Sequence, residues 1–534
     1  MKTYRQAGCL VPALAALLAA PAFGEGEGTV APAKDPTVSL IAPADWLKQQ
    51  PKPAFKKGYT LPPLTRYGWT LDFDTRVEFA EHWGYCLEFN PGYLSDAVLD
   101  RVLNNPNDPE AKVLALAIKD PKTYKLAVIC SREMPANDKV PPETWTRDAA
   151  GNLLTHQAKS QDGTVWTPGM DAFYSPLAPD SVWQEAARLR AEPLRRLREK
   201  CPIAIVLNGG EYGLAVSGWG VKVWEKDPAI VKAKGDRSWD EFASAGAGRL
   251  HTLVGDAVRK AVPDRVLYIY YALDGNAGPW GWGFSYKDMQ AASDLPSTQA
   301  YYLHYNSGWT GGQDLLTQLL KAKSYEIAGG QPLSYNWLCG GYTRDKETKD
   351  ASKISDIATY TGFLKCLYTA GMTGGNAGYY AYPRNNPPGG FGARFPSDQP
   401  PHWLVQMMAL ARVHAQFSHL EHYLRQGDLL PGPDKNRRYK DRPAYEFPTG
   451  DDNLRVLVRK LREQPQPLIL AWFKAPPRWL ITAWAADGKA REVKVTVPDL
   501  GEVTLQARAD GSVYEATVKN GKPVVKLAAG GNGQ

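Results

Sequence analysis

Apolar positions along this chain follow two alternating rhythms. Short runs of mostly apolar, β-branched or aromatic residues alternate with longer stretches where apolar residues return every three or four positions. The first rhythm predicts buried strands and the second predicts amphipathic helices. Strand-like runs fall at residues 66–71, 85–90, 124–133, from 203 onward, and at 265–275, 297–308, 331–342 and 372–383. Helical spacing covers residues 74–84, 94–120, 180–200, 238–262, 313–328, 352–371 and 402–425. Eight short apolar strands alternating with amphipathic helices predict an α/β fold, a (β/α)8 TIM barrel over residues 58–427. The rhythm then changes. From residue 428 to 534 the chain reads as β-like runs broken by Pro, Gly and Asp, which predicts a C-terminal antiparallel β-sandwich. Trp472, Trp479 and Trp484 recur there at strand spacing and are expected in the sandwich core.

The N-terminus carries a different pattern. Lys2 and Arg5 precede the apolar run CLVPALAALLAAPAF, and Ala22-Phe23-Gly24 supplies small residues at a cleavage spacing. Residues 1–24 therefore read as a signal peptide, and the expected location is secreted or periplasmic. Residues 25–57, rich in Pro, Ala and Lys, read as a leader. No other segment has the uninterrupted apolar length of a membrane span, so no membrane insertion is expected. The formal charge of +7 is spread without a basic block, which argues against a nucleic-acid partner. Six cysteines are present, one of them, Cys9, in the signal peptide. The other five, Cys86, Cys130, Cys201, Cys339 and Cys366, show no metal-ligand spacing and read as buried free thiols.

Composition adds one more clue, an excess of aromatics with 17 Trp and 27 Tyr among 534 residues. Core packing takes most of them, and the rest suit a surface for flat, partly apolar ligands such as sugars. Chemistry in a barrel sits at the C-terminal strand ends. The polar residues that collect where the apolar runs stop are Asp72, Asp74, Glu88, Glu133, Asn208, Glu211, Asp274, His304, Asn306, Tyr335, Asn336 and Tyr380. Either aspartate after strand one suits a helix cap, and Asp74 more than Asp72. There is no GxSxG elbow, P-loop, HExxH or dinucleotide fingerprint, so no cofactor is implied. Carboxylates beside aromatic platforms are the equipment of glycosidic bond cleavage.

The stretch IAIVLNGGEYGLAVSGWG, residues 203–220, drives strand four into two glycines and one carboxylate, Glu211. Its GEYG resembles the N-E-Y-G motif of β-galactosidase-type glycoside hydrolases of the large retaining barrel clan, with Gly210 in the place of the Asn. The resemblance implies that Glu211 is the general acid/base. The clan's nucleophile is a Glu ending strand seven, where this chain reads LSYNWLCGGY without a carboxylate. The second catalytic group is then Asp274 on the neighbouring strand, Glu88 or Glu133 across the mouth, or the substrate's own acetamido group. Asp274 ranks first, although its DGN is also an ordinary turn. Glu88 either points into the mouth or pairs with a buried Arg such as Arg66. Glu88, Asn208, Tyr212, Trp280, Asn306, Trp309, Tyr335, Asn336 and Tyr380 are the expected substrate contacts. The expected partner is a β-linked oligo- or polysaccharide. A non-catalytic carbohydrate-binding protein on a decayed barrel is the rival reading, and a polysaccharide lyase ranks below it.

Overall fold

Two parallel sheets carry strands two to eight of the predicted series. The structure, a computed structural model, describes residues 39–66, 71–91, 94–130, 141–156, 171–172, 175–208, 223–263, 267–270, 288, 290–301, 313–340, 356–376, 393–433, 444–462, 465–468, 471–474 and 476–529. The first parallel sheet pairs strand two (Leu87–Phe89), three (Leu126–Cys130), four (Ile203–Asn208) and five (Leu267–Tyr270) in that order. The second pairs strand six (Gln299–Tyr301), seven (Ser334–Cys339) and eight (Met372–Asn376). Strand one is represented by a parallel bridge from Leu64 to Tyr85, so it begins before the predicted residue 66.

Several helices start where a polar side chain caps them. Asp72, rather than the expected Asp74, accepts the Thr75 amide at 2.9 Å and caps Phe73–His82. The capping residue must lie just outside the helix, and Asp74 is already in its first turn. The predicted helix over 94–120 is two helices, Asp96–Asn104 and Pro109–Lys119. Pro106 and Pro109 forbid continuation, and Asp108 caps the second helix through the Glu110 amide at 2.9 Å. Ser238 and Glu241 form a reciprocal capping box at the start of Trp239–Ala261. The helices Asp180–Arg198, Gln313–Ala328, Ile357–Thr369 and His402–His419 match the apolar spacing that predicts them.

The C-terminal region is an antiparallel sheet of five strands in the order Gly427–Leu429, Leu454–Leu461, Arg478–Ala485, Ser512–Lys519 and Lys522–Leu527. A two-stranded ribbon, Arg491–Val497 with Gly501–Ala507, shares a core with it. The ribbon alternates buried valines with exposed polar residues, because only one of its faces is covered. Arg478–Ala485 is mostly apolar and buried from Trp479 onward, because both of its faces are covered. Trp479, Ile481 and Ala483 join the core shared with the ribbon. Leu480 and Trp484 join a core built mainly from the helices around strands six to eight. Trp484 packs on Phe363, with ring centroids 6.1 Å apart, and its Nε1–H donates to the Ala509 carbonyl at 3.0 Å. Trp479 is thus where the spacing predicts, whereas Trp484 lies on the opposite face of its strand. Pro465–Leu468 pairs antiparallel with Ala471–Lys474 in a two-stranded sheet separate from the five-stranded one. The five cysteines of the described residues form no disulfide with one another, and four are buried.

Gly371 ends the helix Ile357–Thr369 at φ +82°, and a Cβ there would lie 2.4 Å from the Pro332 carbonyl oxygen. Both the left-handed backbone and the close approach require glycine. Gly371→Ala should lower stability by about 2 kcal/mol or more, read as a lower urea midpoint.

His414 is fully buried on His402–His419, with Nδ1 2.9 Å from the Tyr368 hydroxyl. Burial pushes its pKa down to about 3. The folded state therefore holds it neutral, while the unfolded chain protonates it near its ordinary value. Stability contributed by neutral His414 is complete above the unfolded pKa and is lost as pH falls from about 6.5 towards 3. Between pH 7 and pH 5 the loss should be about 2 kcal/mol. His414→Gln should flatten this limb in urea titrations at stepped pH.

Candidate active site

Strand two brings a charged network to the wall of the first parallel sheet. Leu87 and Phe89 point into the core between sheet and helices, which leaves Glu88 on the opposite face. Glu88 is 3% exposed and meets the buried Arg66, whose Nη1 lies 3.5 Å from its Oε2. Asn90 Nδ2 lies 3.4 Å from Oε1 of the same carboxylate. Burial holds the Glu88 carboxyl above its ordinary pKa, and the nearby Arg66 and Arg76 charges oppose that shift. Burial also lowers the pKa of Arg66.

A second ion pair backs the first. Arg76, on the helix after strand one, donates through Nη1 to Glu110 at 2.8 Å and to the Glu88 carbonyl at 3.1 Å. Glu110 also accepts the Asn90 amide at 3.0 Å, which fixes the chain as it leaves strand two. Sequence reading missed Arg76, Asn90 and Glu110. The available signal was that Arg76 falls on the buried face of its helix beside Phe79, where an unpaired charge would be costly.

Tyr335 and Asn336 lie at the start of strand seven, which runs on to Cys339. They therefore lie four and three residues short of the strand's C-terminal end, where the sequence reading expects them. The Tyr335 hydroxyl is 2.5 Å from Thr65 Oγ1 and donates to the Pro63 carbonyl at 3.0 Å, tying strand seven to strand one. Asn336 accepts the Thr298 amide at 3.2 Å and donates to the Thr373 carbonyl at 3.0 Å and to Ser334 Oγ at 3.2 Å, tying strands six, seven and eight. Both residues are almost wholly buried, with their polar atoms engaged by protein groups.

Asn208 is the last residue of strand four, in register with Cys130 of strand three and Tyr270 of strand five. The strand that leads to Glu211 is thus held in parallel between two neighbours. Glu211, Tyr212, Asp274, Trp280, Asn306, Trp309 and Tyr380 lie outside the described residues, as do Glu133 and His304. Of the expected contacts, the structure describes the side chains of Glu88, Tyr335 and Asn336. Glu88 belongs to the wall of strands one and two, while Tyr335 and Asn336 join strands six to eight and one.

A scan against protein-family models finds no match, and a search of curated proteins finds none. Solved structures give distant likenesses. An exo-carrageenase GH42 from Bacteroides ovatus is 10% identical, over 90% of this chain and 86% of that one, at a TM-score of 0.47. A GH27 β-L-arabinopyranosidase from Geobacillus stearothermophilus is 11% identical, over 91% and 98%, at 0.38. A β-galactosidase from Halorubrum lacusprofundi is 12% identical, and the match spans 60% of this chain and about half of that enzyme (52%), at 0.35. At such scores the likenesses assign neither family nor activity to this chain.

Proposed function

We propose that this chain is an exported glycoside hydrolase whose parallel strands close into a (β/α)8 barrel followed by a β-sandwich. The position of Glu211 carries the reading. In sequence it lies three residues beyond a strand held in parallel register on both sides, directly after Gly209 and Gly210 and before Tyr212. Barrel closure is supported by the order of pairing, two-three-four-five and six-seven-eight, and by the bridge from Leu64 to Tyr85. The close approach of strand eight to strand one supports it too, since a Cβ on Gly375 would lie 2.3 Å from Thr65 Oγ1. Glu211 protonates the leaving oxygen, and Asp274 is the second carboxylate. A separation of about 5–5.5 Å between them would give retention, and about 6.5–9.5 Å inversion. The aromatic side chains of Trp280, Trp309 and Tyr212 stack on the sugar rings, and Asn208, Asn306 and Tyr380 bind hydroxyls.

The test is release of reducing ends from a panel of β-linked polysaccharides and aryl β-glycosides by the secreted protein. Hydrolysis of at least one substrate supports the reading. The absence of a carboxylate from strand seven, Ser334–Cys339, favours a carbohydrate-binding protein as the second reading. Glycan-array binding without any released sugar would establish that outcome instead. Products with the ultraviolet absorbance of an unsaturated uronate would identify a lyase.

A further inference from the structure

Arg76 and Glu88 border a cavity of about 10 Å3 that also touches Arg66, Tyr85 and Cys86. A space of that size admits about one water molecule. Arg76 is 3% exposed, and its Nε–H has no acceptor among the described residues, although its Nη1 is engaged. Glu88 faces the same space with spare capacity. Its carboxylate has two contacts, both long, at 3.5 Å to Arg66 and 3.4 Å to Asn90. An ionised carboxylate offers about four acceptor sites. A buried donor without an acceptor and an under-used carboxylate on one small cavity meet the conditions for an ordered water.

We propose that one buried water occupies this cavity, accepting from Arg76 Nε–H and donating to the Glu88 carboxylate. The water joins the Arg66–Glu88 and Arg76–Glu110 pairs into one network across strands one and two and the two helices behind them. It supplies the second partner that each group lacks, so neither charge is left half-solvated in the interior. The assignment stands on this geometry and does not depend on the glycosidase reading.

A crystal structure of the full chain, at a resolution that shows ordered solvent, tests it directly. The expected result is one water within hydrogen-bond distance of both Arg76 Nε and Glu88. An empty cavity, or one filled by the Arg66 side chain, overturns the proposal. Cys86→Val gives a solution test, since it adds roughly the volume of one water to the cavity wall. Displacing a bonded water leaves the Arg76 Nε–H without an acceptor and removes a donor from the Glu88 carboxylate, so the folding equilibrium constant should fall about ten-fold or more in urea titrations. A dry cavity predicts the reverse, an unchanged or raised midpoint, and that result would also overturn the proposal. Should the variant fail to fold, the crystal structure of the parent chain still decides.

Discussion

Glu211→Gln should cut turnover of an unactivated β-glycoside by roughly 10^3-fold, within the usual range for removing a general acid. Gln keeps the size and much of the hydrogen bonding of Glu, but it has no proton to give to the leaving oxygen. The loss should therefore depend on the leaving group. An aryl glycoside with an acidic phenol needs little protonation, and its first step should be far less impaired. The alkaline limb of the kcat/KM profile reports the acid in the free enzyme, so it should disappear in the variant. Thermal unfolding should be unchanged within error. Near-normal turnover of unactivated substrate by Glu211→Gln would remove this residue from the mechanism. Asp274→Asn gives the matching check on the second carboxylate, and it should impair activated and unactivated substrates alike.

Arg459→Met should destabilise the protein by about 4 kcal/mol or more, enough to make soluble expression poor. Arg459 lies on Leu454–Leu461, is 1% exposed, and bonds to no carboxylate among the described residues. Its guanidinium instead donates to five backbone carbonyls. Nε reaches Thr369 at 2.7 Å and Nη2 reaches Ala370 at 3.2 Å. Nη1 reaches Tyr423 and Leu424, each at 3.2 Å, and Gly427 at 2.8 Å. All five carbonyls lie in the final turns or at the C-caps of the helices Ile357–Thr369 and Glu421–Gln426, where carbonyls run short of partners within the helix and the dipole is negative. A single cation therefore satisfies the ends of two helices and joins them to the antiparallel sheet.

Burial lowers the Arg459 pKa to about 10, which still leaves it charged at neutral pH. Met would fill most of the space and leave the carbonyls buried without donors, at about 1–3 kcal/mol for each one not reached by water. Arg459→Lys keeps the charge but has three donors on one nitrogen, which cannot span carbonyls on both helices. It should recover only part of the loss. Urea unfolding of the three proteins measures this order, and equal midpoints would show that the carbonyl clamp contributes little.

Much of the architecture is legible in sequence because strands and helices advertise themselves locally. Ile203–Asn208 is an apolar run closed by a glycine pair, and Trp239–Ala261 announces its start with Ser238 and Glu241. The antiparallel ribbon shows its one-sided burial as strict alternation. Less of the site is legible. Glu88 reads equally well as a group at the mouth or as a partner of Arg66, and nothing within a few residues decides between them. Tyr335 and Asn336 look like strand-end polar residues because Tyr and Asn interrupt an apolar run. Their true position follows from which backbone they meet.

The chain by itself determines much of the order and kind of its elements and the change from alternating α/β to antiparallel β. These depend on periodicity and on residues only a few places apart. Tertiary structure alone decides the partners of the buried polar groups, because those lie far away along the chain. Tyr335 meets Thr65 across 270 residues, and Arg459 meets Thr369 across 90. The same holds for Arg478–Ala485, whose apolar sequence states that it is buried but not that its two faces serve different cores. Local pattern records whether a side chain leaves water, whereas the identity of what it then touches is set by the packing of the whole chain.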